Sequence, residues 1–458
     1  MKTILIILAS LFTFLTLAQN PPTLWQKNIG GSGNEGLFPL KIPNSTDYFL
    51  IGYSDSDISG DKTEISRGFT DIWILRLDQT HTILWDKTIG GDGFEWFEDA
   101  KIYNDTLYVI ARSNSNISGE KTMMSFGGYD NWLISLDLSG NILWQNQYGG
   151  SNNESKAKIV FNANNNLIIG STSDSNISGN KTENSIGQSD IWMLECNTSD
   201  GSIINQNTIG SSNKDDFKNL IIDNNFIHLL CQSEVGISGD KTDVGYGSFD
   251  VWLIKIDLNL NVLQDKCFGG TGDENNLGGS FILNNNFLYI VASSSSIASG
   301  NKTAPYWDSY DAFDRNDVWI LKIDNNYSLI WDKSFGGNAD DYGVSIHSQT
   351  QNRFVISSNS ESINNGNKTA PKYGNFDVWL IIVDSLGAEI VQESYGGTLN
   401  DYGGTYFSSP NSIYFSSFSN SGISGNKTVP TNGGSDAWLM EIDASGFLNT
   451  ESIEGVNR

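Results

Sequence analysis

The chain has 458 residues, with 53 acidic against 27 basic side chains and a formal net charge of −26. A field of that sign repels phosphate backbones and anionic headgroups, so it argues against nucleic acid and against docking on an anionic membrane. Three cysteines are too few, and odd in number, for a disulfide framework.

Met1–Ala18 reads as a secretory signal. Lys2 is followed by an apolar run from Ile4 to Leu17, and Thr16-Leu17-Ala18 offers small residues for cleavage. The run is short for a bilayer span, and no cysteine follows it as a lipoprotein would need. These features predict a periplasmic or secreted protein, cleaved after Ala18, with no direct membrane insertion.

From Leu24 onward one phrase recurs: Gly-Gly, an acid, an apolar run, a long loop with Lys-Thr, then Asp-x-Trp. Trp73, Trp132, Trp192, Trp252, Trp319, Trp379 and Trp438 mark seven units, with gaps by subtraction of 59, 60, 60, 67, 60 and 59. Each unit holds four strand-like segments. In the second unit Tyr103-Asn104-Asp105 and Asp137–Asn141 read as hairpin turns, and a longer loop runs from Ser113 to Tyr129. The expected fold is all-β: a seven-bladed β-propeller of four-stranded blades, spanning residues 19–458 as one domain. A solenoid is the alternative architecture.

Leu24–Gly31 (LWQKNIGG) repeats the fourth-strand phrase Leu84–Gly91 (LWDKTIGG) but precedes the first complete unit. It is therefore expected to complete the last blade and close the ring, leaving no open sheet edge. Phe447–Ile453 competes for that place. The seven repeat Trp, together with Trp25, Trp85, Trp144 and Trp331 on fourth strands, are expected to pack between blades. Cys231 and Cys267 should lie two strands apart in one blade, too far to bond.

Two polar features recur in every unit. An acid follows each Gly-Gly: Glu35, Glu95, Glu154, Asp215, Glu274, Asp341 and Asp401. A lysine recurs in each long loop: Lys62, Lys121, Lys181, Lys241, Lys302, Lys368 and Lys427. Strand order brings them to one face, with the third-strand acids Asp71, Asp130, Asp190, Asp250, Asp317, Asp377 and Asp436. The first reading is a salt-bridge staple that holds each loop over its blade. The alternative is a charged ring binding Ca²⁺ or a ligand at the channel mouth. No cofactor motif is present, and no stretch has EF-hand spacing.

Departures from the repeat are the better functional clues. The fifth unit carries extra residues within Pro305–Asn316, bringing Tyr306, Trp307, Tyr310 and Phe313 beside several acids. Trp96 follows Glu95, where Tyr342 and Tyr402 stand in two other units. These aromatics are candidate partner contacts, with a packed lid or rim as the structural alternative. His81, His228 and His347 fall in different units without ligand spacing, so no catalytic constellation can be assembled.

At the level of the repeat, the chain resembles secreted β-propeller proteins of Bacteroidetes-type bacteria, of the SBBP-type and delta-60-like repeat groups. The carriers are Gly30-Gly31-Ser32-Gly33-Asn34-Glu35, Tyr48–Tyr53 (YFLIGY), Asp71-Ile72-Trp73 and Leu77-Asp78. The resemblance implies a propeller and no particular activity. Many such proteins end in a sorting domain for type 9 secretion, and here the chain stops at Arg458 soon after the last strand. The expectation is a non-enzymatic interaction module with a protein partner in the cell envelope, in one form an accessory or plug subunit of an outer-membrane translocon such as the type 9 machine. A carbohydrate-binding or carbohydrate-cleaving propeller is the second expectation.

Overall fold

The computed structural model describes residues 22–223, 226–308, 315–350, 352–408 and 412–444. The predicted leader Met1–Ala18, the candidate contacts Tyr310 and Phe313, and Phe447–Ile453 lie outside the described residues.

The described chain forms seven antiparallel sheets in a ring, a seven-bladed β-propeller. Blade 1 runs through Glu35–Lys41, Tyr48–Ser54, Asp71–Leu77 and Ile83–Ile89. Blade 2 follows with Glu95–Tyr103, Thr106–Ser113, Asp130–Asp137 and Ile142–Tyr148. Blades 3 to 6 repeat this order, with first strands at Glu154–Phe161, Asp215–Asp223, Glu274–Asn284 and Asp341–Thr350. Blade 7 begins with two short pieces, Asp401–Tyr402 and Tyr406–Ser408, then Ser412–Ser419 and Asp436–Asp443. Its outer strand is Thr23–Ile29, which pairs antiparallel with Asp436–Asp443 from Trp25↔Glu441 to Ile29↔Ala437. The first and last described strands thus share one sheet, and the ring closes by hydrogen bonds.

Inner and outer strands differ in burial for a simple reason. Second and third strands are covered on both faces by neighbouring blades, so they read as near-continuous apolar runs, as in Asp71–Leu77. Fourth strands lie at the circumference and are only half-buried over most of their length, with one exposed residue, as in Ile83–Ile89. The core is a set of layers between blades. One layer joins Ile168, Ile191 and Met193 of blade 3 to Phe217, Leu229 and Trp252 of blade 4. All seven third-strand Trp are fully buried in such layers, where loss of one indole would cost about 3–5 kcal/mol.

The fourth-strand Trp pack against the layers between blades as expected, Trp25, Trp85, Trp144 and Trp331 each at the rim of one. They are half-buried and not fully enclosed. Standing on outer strands, they also lean over the next blade's last hairpin. A Cβ at Gly140 would press on Trp85, at Gly201 on Trp144 and at Gly387 on Trp331. These three glycines also hold φ of 83°, 73° and 75°, so both the turn and the indole call for glycine.

Strand order sorts the connections onto two faces. The long loop between second and third strands and the Gly-Gly link between blades share one face, the loop face. Parallel bridges such as Thr70↔Phe94 and Ser189↔Lys214 join the two links there. Short hairpins occupy the opposite face.

Cys196, Cys231 and Cys267 are buried free thiols. Cys231 and Cys267 both flank Trp252 in the sheet of blade 4, one strand on either side.

Candidate functional site

Each loop-face unit is built from the Gly-Gly outward. The second residue of the link donates its N–H to the following acid: Gly31 to Glu35 at 2.7 Å, Gly91 to Glu95 at 2.8 Å, Ser211 to Asp215 at 2.5 Å, and likewise in every blade. The acid also accepts from serines closing the second strand, Ser113 and Ser115 for Glu95 at 2.7 and 2.6 Å. All seven of these acids are essentially buried. Burying a carboxylate demands such a cage of donors.

The seven loop lysines are buried too, at 0–2 % exposure. The structure brings lysine and acid into one cluster, but joins them differently from a direct ion pair. Lys121 Nζ donates to Ser113 Oγ at 3.0 Å and to the Ser115 carbonyl at 2.6 Å. Ser113 in turn donates to Glu95, so the serine links the two charges. Lys427 repeats this through Ser419, which donates to Asp401; Lys241 reaches Ser233 Oγ, which donates instead to the Glu234 carbonyl, and Lys302 and Lys368 bond carbonyls of their own loops. Lys62 and Lys181 reach the carbonyls of Glu64 and Glu183. Among the described residues the ion pairs lie elsewhere, as in Arg67–Glu120 at 3.0 Å. The physical reason is geometric: a long stem threads under the loop and meets carbonyls first.

A second anchor was not foreseen from the sequence. The Asp or Gln one residue past the fourth-strand Trp position accepts both the indole N–H of the buried third-strand Trp and the backbone N–H of the Lys-Thr threonine. Gln145 does so for Trp132 and Thr122 at 3.0 and 3.1 Å, and Asp265 for Trp252 and Thr242 at 2.9 Å each. The pattern holds in all seven blades, with Gln26 serving blade 7 across the ring closure. Five lysines also stand over the same indoles at 5.5–6.0 Å, within cation–π reach. The signal is present as the recurring D/Q in LWDK, LWQN and LWQK, where a polar residue on an outer strand calls for no special explanation.

Third-strand acids close the loop's far end. Asp71 Oδ2 accepts from Ser66 Oγ and the Arg67 N–H, and Asp130 from Ser125 Oγ and the Phe126 N–H. Each also faces the acid of the next blade. At the blade 4–5 boundary burial pushes Glu274 up to about 7, with the Asp250 charge adding to the rise. Burial pushes Glu154 up to about 7, with Asp130 adding to the rise. Burial likewise pushes Asp317 up to about 8, with Asp341 and Asp308 reinforcing it. Among the described residues no group of three or more His, Cys, Asp or Glu is placed to hold a metal ion, and the lysines supply local countercharge.

The mouth of the channel is aromatic. Phe69 stacks on Phe94 at 4.8 Å, Phe94 lies parallel to Trp96 at 6.5 Å, and Tyr53 meets Trp96 edge-on at 5.0 Å. Arg112 lies over both Trp96 and Tyr129. Tyr342 and Tyr402 flank Phe376 at 6.1 and 5.6 Å. In the insertion, Tyr306 and Trp307 are half-buried and bonded to their own blade: Tyr306 Oη donates to the Arg315 carbonyl, and Trp307 Nε1 to that of Ser334.

Two apolar rings also went unread in the sequence. Ile58, Ile117, Ile177, Ile237, Ile297, Ile363 and Ile423 occupy equivalent loop positions and are 43–67 % exposed. Leu24, Leu84, Leu143, Ile204, Leu263 and Ile330 form a second ring on the outer strands, 50–56 % exposed.

The histidines do not converge. His81 Nδ1 pairs with Tyr48 Oη at 2.9 Å and His228 Nδ1 with Tyr327 Oη at 2.7 Å, in different blades. His347 lines the central channel, where burial pushes it down to about 4.

No family model matches the chain, and no curated protein matches it. Similar solved structures include the Pan2 WD40 domain of Neurospora crassa, at 8 % identity and TM-score 0.48 over 91 % of this chain and 95 % of that one. The polysaccharide lyase Uly1 is similar at 7 % identity and TM-score 0.48, over 90 % of each chain. A protein of unknown function from Dyadobacter fermentans is similar at 9 % identity and TM-score 0.44, over 92 % of this chain and 99 % of that one.

Proposed function

We propose that this chain is an exported, non-enzymatic interaction disc that docks a partner protein on its loop face. The observation that carries the reading is the ring of seven exposed isoleucines, set on the same face as the Phe69–Phe94–Trp96 aromatic run. Exposed apolar groups in a patterned array mark contact surfaces more often than scattered ones do. The loops that carry them are held by buried hydrogen bonds at both ends. Pre-ordered loops lose little entropy on binding, which favours affinity.

In its most specific form the disc is a periplasmic accessory or plug subunit of an outer-membrane translocon of the type 9 kind, with a cell-envelope partner. The leader-like N-terminus and the repeat resemblance support that form. A carbohydrate-directed role is the second reading, supported by Trp96 with Arg112 and Tyr129 beside it, a flat ring edged by a hydrogen-bond donor.

The test compares envelope capture with glycan-array binding, using wild type and an Ile117→Ser/Ile177→Ser/Ile237→Ser variant. The docking reading expects a discrete captured protein that is lost in the variant at unchanged Tm. Glycan binding abolished by Trp96→Ser, with no protein captured, would replace it by the carbohydrate reading.

A further inference from the structure

We infer that the hairpin face carries a saccharide site, a pocket at the seam between blade 7 and blade 1 that takes a neutral sugar ring, separate from the docking surface on the loop face. The cavity measures 300 Å³. Lys41 and the stretch Ser45–Tyr48 of blade 1 line it, with Gln79 and His81 of the same blade and Phe407 and Tyr414 of blade 7.

Three departures from the repeat converge on this pocket. First, the hairpin joining the first two strands of blade 1 has six residues, Ile42–Asp47, where the same hairpins of blades 2 and 5 have two. The added length brings Ser45, Thr46 and Asp47 to the cavity. Second, the turn position of His81 is glycine in blades 2, 3 and 6, as Gly140, Gly201 and Gly387, and the fully buried Leu260 and Tyr327 fill it in blades 4 and 5. His81 is instead half-buried, and its ring is held in place. Trp25 meets it edge-on at 3.8 Å, Nδ1 pairs with Tyr48 Oη at 2.9 Å, and Lys27 Nζ donates to its carbonyl at 2.7 Å. Third, the first strand of blade 7 is broken, and its second piece, Tyr406–Ser408, sets Phe407 opposite Tyr414.

The wall and the rim select the ligand. Four rings touch in a closed circuit: Tyr48 to His81 at 5.9 Å, His81 to Tyr414 at 6.0 Å, Tyr414 to Phe407 at 4.8 Å and Phe407 to Tyr48 at 5.7 Å. Aromatic faces carry negative charge density and suit the weakly positive C–H face of a pyranose. The rim is polar. Arg76 Nε and Nη2 donate to Asp47 Oδ2 at 3.0 and 2.8 Å, which fixes the carboxylate and leaves Oδ1 as an acceptor. Lys41, Thr46 and Gln79 are exposed beside it. An ammonium, a hydroxyl, an amide and a carboxylate oxygen together offer donors and acceptors, as sugar hydroxyls require. Lys41 disfavours a cation there and Asp47 an anion, so the pocket favours a neutral ligand. Its volume stands at the lower end of the usual range of about 300–1,000 Å³ for small-molecule sites, which fits a single ring better than a long chain.

The experiment is calorimetric titration of the purified full chain with the methyl glycosides of glucose, galactose, mannose and N-acetylglucosamine, beside glucuronate and glucosamine as charged counterparts. Saturable binding of at least one neutral glycoside is expected, tighter than either charged sugar. Tyr414→Ala should weaken it about tenfold, as loss of an aromatic contact does. Gln79→Ala, at an exposed position, should weaken it severalfold at unchanged Tm. Trp96→Ser, on the other face, should leave the affinity unchanged, which separates this site from the carbohydrate reading of the loop face. Absence of saturable binding by every neutral glycoside overturns the proposal, as does tighter binding of glucuronate or glucosamine. Binding abolished by Trp96→Ser and kept by Tyr414→Ala overturns it too. Should Tyr414→Ala fail to fold, a Thr46→Val/Gln79→Ala protein of wild-type affinity overturns it equally.

Discussion

Asp265 accepts four hydrogen bonds at once: from the Thr242 and Asp243 backbone N–H groups, from Thr242 Oγ1 and from the Trp252 indole. Removing it strands buried donors, each at about 1–3 kcal/mol. Asp265→Ala should therefore lower unfolding free energy by about 3 kcal/mol in a urea titration, and Asp265→Asn by less. A loss under 1 kcal/mol, within the range of ordinary surface changes at about 0.5 kcal/mol, would show that the anchor is decorative. The buried acids make a second prediction at this scale. Glu154 and Asp317 sit near 7 and 8 in the fold, against ordinary values of 4.5 and 3.8. The native state thus keeps protons that the unfolded chain has released. That contribution is fully present below the unfolded pKa values and is lost as pH rises through the folded ones, so stability should fall from about pH 5 to about pH 8.5. Chemical denaturation across that range measures it, and a rising profile would contradict the buried-proton account. Lys427, held down near 8 by burial, acts outside most of this window, because its lost stability returns only as pH climbs toward 10.5.

At the scale of the element, the strand that closes the ring is the most exposed to test. Thr23–Ile29 supplies the outer edge of blade 7, the Gln26 acceptor for Trp438 and Thr428, and the fully buried Ile29. Deleting Thr23–Ile29 should sharply lower Tm and broaden the transition, since blade 7 loses its edge and one indole loses its acceptor. Unchanged melting would mean that another segment takes the place. The insertion is a second element to test. Tyr306 and Trp307 are tied to blade 5 and its neighbour strand. Tyr306→Ser/Trp307→Ser should thus cost stability, about 1–3 kcal/mol by urea titration for two half-buried rings. Intact stability with lost partner capture would make these rings contacts instead of cover. The strands themselves were legible because period-two patterning and turn residues repeat seven times. How the loops are fastened was less legible. The lysines and acids announced themselves by recurrence, but which oxygen each Nζ reaches depends on backbone carbonyls, which no residue letter encodes. The Asp/Gln anchor was hidden for a related reason: it is a polar residue on an edge strand, a place where polarity needs no explanation.

For the whole molecule, the blade count followed from arithmetic on the Trp spacing, and closure from the match of Leu24–Gly31 to the fourth-strand phrase of the other blades. The candidate site did not follow. Ile58 and its six equivalents look like ordinary repeat residues in sequence, and only the ring places them on one face. What the disc offers a partner is therefore a property of the assembled ring. The most direct measurement is site-specific photocrosslinking in intact cells. A photoreactive residue is placed in turn at Ile117, Ile177 and Ile237 on the loop face, and at Asn104, Asn164 and Asn285 on the hairpin face. The docking account predicts one discrete protein adduct from the loop-face positions and none from the hairpin face. Adducts only from the hairpin face, or from neither face, would contradict it.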